Sequence, residues 1–417
     1  MDLVVEGRLF LEGRLQQGSV GIDDGRIVAV KKVLRGEKRI DVGSRIVLPA
    51  AMDPHVHFRE PGLTWKENFS SGSLAALYGG VTTVLDMPNT VPPTDRLPFL
   101  LDKKRMVCGR SFVDYGLFVT TSSIRRLETM APYAVGLKIF MGSTTAALLE
   151  NDDQNIYRLL RSAEALGLPV SVHAEDDNLI RKEEASDLKG HLRNRPAEAE
   201  INAVRRLASL GAKGVNVCHV SHPDTLSITA DNGMVTEAAP HHLLLDTDTA
   251  LGARAKVNPP LREPSCRQAL FYAMASGRID MMGSDHAPHL AEEKAEEFEY
   301  SPSGVPGVET MFPLMMAAVK RRELPLDILV SMCCERPAQR FGVSKGRIAE
   351  GFMADLAIYD PRQVTEIQGR RLHSLCGWTP YEGIEAIFPR MVIMRGEIQL
   401  KEGELCGEAI GSDIRNE

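Results

Sequence analysis

Eight times between residues 45 and 285, an apolar run of strand length gives way to a helical stretch. The runs are RIVLPAAMD, VTTVLDM, SFVDYGLFV, AVGLKIF, LPVSVHA, GVNVCHV, GMVTEAA and IDMMGSD. A strand covered on both faces has no need of alternating polar positions. Near-continuous apolar strands separated by helices therefore mean a parallel sheet with helices packed against it. Eight such units in about 290 residues predict a closed TIM-type (β/α)8 barrel. The helical stretches are ordinary: AEAEINAVRRLASLGAKG is amphipathic and stops on a glycine.

The two ends follow another rhythm. DLVVEGRLFLEGRLQQGSVGIDDGRIVAV alternates apolar and polar residues around glycines, and GRIAEGFMADLAIYD and IFPRMVIMRGEIQL do the same near the far end. This is the pattern of short antiparallel strands and tight turns. The expectation is one small β-sandwich domain made from residues 1–47 plus 344–417, and a (β/α)8 barrel over 48–343. With 43% apolar residues among 417, the chain has material for both cores.

Composition excludes several classes. The net charge is −7, and lysines and arginines are scattered, so there is no basic stripe for nucleic acid. No run approaches the roughly 18 apolar residues of a membrane helix. MDLVVEGRLFLEG lacks the apolar centre of a signal peptide. Seven cysteines, an odd number without a CxxC pair, point to a reducing, cytoplasmic compartment. Cys333 and Cys334 are adjacent and cannot readily pair with each other.

The reactive residues follow the strands. His55-x-His57 lies after the first run, Lys138 in the fourth, His173 at the end of the fifth, His219 of the sixth and Asp285 of the eighth. Barrel chemistry collects at the C-terminal ends of the strands. One histidine there is most simply a satisfied structural group; four with an aspartate point to a metal centre. Residues two apart on a strand share a face, so His55, His57 and Arg59 are expected to point together. Imidazole suits zinc and similar ions. By the same alternation Cys218 points away from the site into the core, and His286, opposite in parity to Asp285, is left unassigned. His222, His241 and His242 read as loop or helix-start residues.

Two metals need a bridging anion, and no carboxylate ends the fourth run. Lys138 stands there, in GLKIFMGSTT. Loss of solvation in an apolar strand favours a neutral amine, which can add CO2 and become a carbamate. A buried lysine paired with an acid is the equal alternative from the residues alone. The polar stretch HLAEEKAEEFEYSPSGVPGVET after the eighth strand is long enough to be a covering lid.

The segment DPHVHFREPGLTWKENFSSGSLAALYGGVTTVLDMPNT closely resembles the dihydroorotases of the amidohydrolase superfamily, as do VSVHAED, VNPPLR, GSDHAPH and SGVPGVET. The likeness covers nearly the whole chain, including GRIAEGFMADLAIYD. HFREPG together with MPNT is its most specific part. Hydantoinases and allantoinases share the HxH and the lysine but usually differ at these arginine and asparagine positions.

The resemblance implies reversible cyclisation of N-carbamoyl-L-aspartate to L-dihydroorotate in pyrimidine biosynthesis, by a zinc-activated hydroxide. It implies two Zn2+ per chain. His55 and His57 would hold the more buried ion, His173 and His219 the second, and a CO2-derived carbamate on Lys138 would bridge them. Asp285 would touch the first ion and act as general acid and base. Arg59, Asn89, Asn258 and His289 would hold the substrate, with backbone near Pro306 and Gly307 against its ring. One branch of these enzymes bridges its metals with an aspartate in a TDDG-like segment. Here the place reads KIFMGST, and Asp152 and Asp153 look like the start of the next helix, which favours the lysine carbamate. Relatives are often dimers or join a transcarbamoylase. The alternatives are a hydantoinase or allantoinase, whose neutral substrates lack a carboxylate for Arg59, and a non-catalytic scaffold, which would have lost ligands that are all present here.

Overall fold

The computed structural model describes residues 1–145 and 148–416. Ala146, Ala147 and Glu417 lie outside the described residues, Glu417 being the last residue of the expected second β segment. The chain opens with β1 (Leu3–Leu11), β2 (Arg14–Asp23), β3 (Arg26–Lys31) and β4 (Lys38–Pro49). Two-residue loops join β1 to β2 and β2 to β3. Both loops are X-Gly pairs at positive φ: Glu12 at 49° with Gly13 at 79°, and Asp24 at 46° with Gly25 at 71°. Such mirror-image turns match the right-handed twist of the flanking strands.

The barrel follows, with strands β5 (Ala51–Val56), β6 (Val81–Asp86), β7 (Asp114–Val119), β8 (Gly136–Phe140), β9 (Val170–His173), β10 (Asn216–Val217), β11 (Val235–Ala238) and β12 (Met281–Met282). They lie in the order β12-β11-β10-β9-β8-β7-β6-β5, with neighbours parallel. Each of the eight apolar runs supplies one of them. The ring closes just beyond β12, where Val56 bridges His286 and the His57 amide donates to the His286 carbonyl at 2.8 Å.

The remaining strands are β13 (Leu356–Tyr359), the small ribbon of β14 (Thr365–Glu366) and β15 (Glu385–Ala386), then β16 (Pro389–Met394), β17 (Glu397–Lys401) and β18 (Glu404–Leu405). All of these but the β14–β15 ribbon join the N-terminal strands in one mixed sheet, β18-β17-β16-β13-β4-β1-β2-β3. Val5, Leu9, Val47, Leu356, Ile358 and Ile393 form its own apolar core. Arg395-Gly396 and Glu402-Gly403 repeat the X-Gly turn.

The first run, RIVLPAAMD, is not one strand. Its Ile46–Pro49 half pairs with β13 in the end sheet, and its Ala51–Asp53 half pairs with β6 in the barrel. The switch falls at Ala50 and Ala51, whose amides bond Asp355 O at 3.0 Å and Gly80 O at 3.0 Å. Asp152 caps the helix Asp153–Ala165, accepting from the Gln154 and Asn155 amides, as its acids led one to expect. Among the described residues no helix is long and apolar enough to cross a membrane.

Candidate metal centre

The four histidines, Lys138 and Asp285 line one cavity at the C-terminal mouth of the barrel, together with Arg59, Asn89 and Asn258. His55 and His57 have ring centroids 5.2 Å apart, His55 and His219 5.3 Å, and His173 and His219 4.8 Å. Ligand atoms of His55, His57 and Asp285 lie within 4.8 Å of one another.

In three of the rings one nitrogen is committed to a protein acceptor and the other is turned inward. His55 Nδ1 donates to Glu237 Oε1 at 2.6 Å, His57 Nδ1 to Asn89 Oδ1 at 2.7 Å, and His173 Nε2 to Glu175 Oε2 at 2.8 Å. The Asn89 amide is oriented by its own donation to Thr145 O at 2.9 Å. The inward nitrogens then carry lone pairs. His57 Nε2 faces Asp285 Oδ1 at 3.1 Å, His55 Nε2 the same oxygen at 3.4 Å, and His173 Nδ1 meets His219 Nε2 at 3.1 Å. His219 Nδ1 is buried with no partner among the described residues. Acceptors converging on acceptors call for a cation, and imidazoles held through the opposite nitrogen are the usual metal-ligand arrangement. The residues present therefore fit a metal.

The electrostatics agree. Burial lowers His57 to about 4, against the pull of Asp285, and also holds His173 and His219 below the ordinary range, so these rings are in the neutral form that ligates. Burial and Lys138 oppose charge on His55, yet Glu237, Cys218 and Asp285 outweigh them and lift it to about 10. The carboxylates of Glu237 and Asp285 demand positive charge at this spot. Burial would raise Asp285, but His55, His57 and His219 hold it well below the usual carboxylate range.

Lys138 is 1% exposed. Its Nζ lies 3.0 Å from Cys218 Sγ and 3.4 Å from His55 Nε2, and it has no ion pair with a carboxylate among the described residues.

Several expectations need correction. Cys218 does not point away. His219 sits at φ 37°, which breaks the strand alternation, and Cys218 stays on the Asn216 face against Lys138. Arg59 does not continue a strand parity, because β5 ends at Val56 and the chain turns at Arg59 with φ 62°. It reaches the cavity all the same. The nearby backbone wall is Ser303 and Gly304 rather than Pro306 and Gly307. The Gly307 amide is instead committed to His286 Nδ1 at 3.1 Å. Gly304, at φ 137°, brings the wall so near that a Cβ would stand 2.5 Å from Ala287 O. His289 stands behind Arg59, with its Nε2 near Ser303 O at 3.1 Å and Arg59 Nη2 at 3.1 Å.

Glu237, Glu175 and His191 are new. His191 Nε2 contacts Val257 O at 2.9 Å and Asn258 Oδ1 at 3.0 Å, turning the Asn258 amide. Glu237 sits inside the apolar run GMVTEAA, on β11, while Glu175 lies just past β9 in VSVHAED. A carboxylate in a buried strand must have a partner, which was the available signal. Of the other histidines, His222 caps the helix Pro223–Asp231 and His242 bonds Pro259 O at 3.0 Å. Glu237 also accepts from Asn216 Nδ2 at 2.7 Å, so its geometry is fixed from both sides. Glu237→Gln is expected to weaken metal retention about 10- to 100-fold by releasing the His55 ring. Metal content after graded chelator treatment checks this; unchanged retention would make Glu237 a packing residue.

The sequence model of the amidohydrolase family matches residues 46–396. A dihydroorotase of Thermoplasma volcanium is 38% identical over 415 residues, covering 99% of this chain and 97% of that protein. A dihydroorotase of Thermoplasma acidophilum is 36% identical over 417 residues, with 99% and 97% covered. Among solved structures, an L-hydantoinase (dihydropyrimidinase) from Arthrobacter aurescens matches with a TM-score of 0.94 at 28% identity, covering 99% of each chain.

Proposed function

The chain belongs to the amidohydrolase family, and on that premise we propose that it is an enzyme of the dihydroorotase type, closing N-carbamoyl-L-aspartate to L-dihydroorotate with loss of water, and the reverse. The observation that carries the reading is the single cavity in which four buried histidines, Lys138 and Asp285 adjoin Arg59. His55, His57 and Asp285 would hold one zinc ion and His173 and His219 a second, with carbamylated Lys138 between them. So held, zinc supplies a Lewis acid that polarises the scissile carbonyl and makes water a nucleophile near neutral pH.

The chain's own residues do the rest. In ring opening Asp285 Oδ1 takes the proton of the attacking water and hands it to the ring nitrogen as the C–N bond breaks. In closure protonated Asp285 gives its proton to the departing carboxylate oxygen, then takes the ureido proton as the C–N bond forms and passes it to the same oxygen, which leaves as water. Arg59 offers a planar fork of donors to the carboxylate that takes no part in the reaction. It is 2% exposed, so a paired anion there is held out of water. Asn89 holds the His57 ring, and His191 turns Asn258 toward the cavity. The seven cysteines are free, which suits a reducing cytoplasm.

A hydantoinase has nearly the same fold, and its neutral substrate would leave Arg59 without a counter-charge. A buried charge that loses its partner costs about 2–5 kcal/mol, or roughly 100-fold in turnover efficiency. Parallel assays of L-dihydroorotate, hydantoin and allantoin are therefore expected to favour dihydroorotate by at least about 100-fold. Preference for hydantoin would overturn the assignment.

A further inference from the structure

Behind Arg59 lies a group of buried cations that no step of the reaction uses. Lys66 and Lys256 are each 9% exposed and Lys294 2%. Lys66 Nζ sits 3.0 Å from His289 Nδ1 and 2.7 Å from Glu293 Oε1. Among the described residues Glu293 is the sole carboxylate paired with this group. Lys294 Nζ donates instead to Pro302 O at 2.7 Å and Lys256 O at 3.3 Å, and Lys256 Nζ to Phe298 O at 2.7 Å and Glu299 O at 3.0 Å.

These bonds run into the cavity wall. Lys256 O also accepts from the Gly304 amide at 2.9 Å, so Lys294, Lys256 and the Ser303–Gly304 wall share one junction. The polar stretch expected to be a lid is thus pinned from below by ammonium groups. Lys256 and Lys294 meet carbonyls and the faces of Phe298 and Trp378 but no carboxylate among the described residues, which leaves their charge without a counter-ion. An anion in the adjoining cavity is the missing counter-charge.

We infer that Lys294, with Lys66 and Lys256, is a positioning and specificity element that favours the doubly charged open-chain substrate over the singly charged ring. This rests on the dihydroorotase reading. N-carbamoyl-L-aspartate carries two carboxylates and L-dihydroorotate one, and Coulomb energy is linear in the ligand's charge. Removing one cation therefore acts twice as strongly, on a logarithmic scale, on the open chain. The state of Lys294 fits the excess of positive charge. Burial first, then Lys256 and Arg59, push it down to about 7, so an assay near pH 6 finds it charged.

The test is Lys294→Gln, which keeps a donor for the Pro302 carbonyl but removes the charge, beside Lys294→Arg. For the glutamine variant the KM for N-carbamoyl-L-aspartate is expected to rise about tenfold and that for L-dihydroorotate about threefold, the square root. The equilibrium constant obliges kcat/KM to change by one common factor in both directions, so the charge effect appears in the KM split. Arginine restores both values. Equal KM shifts in the two directions, or an arginine variant no better than glutamine, overturn the inference while the dihydroorotase activity stands. A wild-type protein that turns over neither compound overturns the reading beneath it. If the glutamine variant does not fold, Lys66→Met removes the neighbouring charge and carries the same two-to-one expectation.

Discussion

Asp285→Asn is expected to lower kcat/KM by about 10⁴-fold in both directions while the protein keeps its fold and its metal. General acid–base catalysis accounts for about 10²–10⁴, and the lost anion next to three imidazoles adds to it. Asparagine has nearly the same shape and still offers an oxygen, so the histidines retain their ion. It cannot, however, accept a proton at Oδ1, the atom 3.1 Å from His57 Nε2 and 3.4 Å from His55 Nε2. Asp285 is also one of the few non-glycine residues at positive φ, 48°, a conformation that asparagine tolerates well.

The same residue sets the pH dependence. His55, His57 and His219 hold Asp285 well below the usual carboxylate range despite its burial. A depressed carboxyl is ionised across neutral pH and gains its proton only as pH falls toward that lowered value. Ring opening needs the ionised form, so it stays high from neutral pH upward and declines in acid. Closure needs the protonated form, so it climbs as pH falls. Rate profiles measured in the two directions are the check. Closure that rises with pH, or a loss of less than tenfold in Asp285→Asn, would remove Asp285 from the proton path.

Much of this was open to reading because the controlling patterns are local. An apolar run bounded by helix signals identifies a covered strand wherever its neighbours lie, so β5 to β12 each descend from a legible segment. Barrel topology then carries residues as distant as His55 and Asp285 to one mouth. What escaped depends on backbone turns and on partners far along the chain. Cys218 was misdirected because nothing in GVNVCHV announces that His219 adopts φ 37°. Glu237 meets His55 across 182 positions, and only the closed barrel brings them together. Ser303 and Gly304 line the cavity, while the Gly307 amide, expected near the substrate ring, bonds His286 across 21 positions. Asn89 lines the cavity and also accepts from His57, a bond that only the register between β5 and β6 reveals.

Lys138→Ala is expected to cost at least about 10³-fold in kcat/KM, equivalent to roughly 4 kcal/mol, and to release bound metal. The physical argument turns on sign. As an ammonium, Lys138 would repel a cation: a unit charge about 4 Å from a dication meets roughly 8 kcal/mol of repulsion at an effective dielectric constant of 20. Yet Lys138 Nζ lies 3.4 Å from His55 Nε2, inside the group of atoms that calls for a cation, and has no carboxylate partner among the described residues. Adding CO2 to the neutral amine, with release of one proton, turns the same side chain into an anion and converts repulsion into attraction. Phe140, 5.4 Å from Nζ, and Cys218 keep the stem in an apolar slot where water offers the amine little competition. Alanine leaves that slot empty, so a small carboxylate such as acetate or propionate, supplied at millimolar concentration, is expected to restore part of both activity and metal binding. Native mass measurement supplies the independent reading, since the wild-type chain is expected to carry one CO2 and two zinc ions that disappear together in the variant. Full metal content with activity within tenfold of wild type in Lys138→Ala would mean that the lysine is a structural residue and that the bridging anion comes from elsewhere.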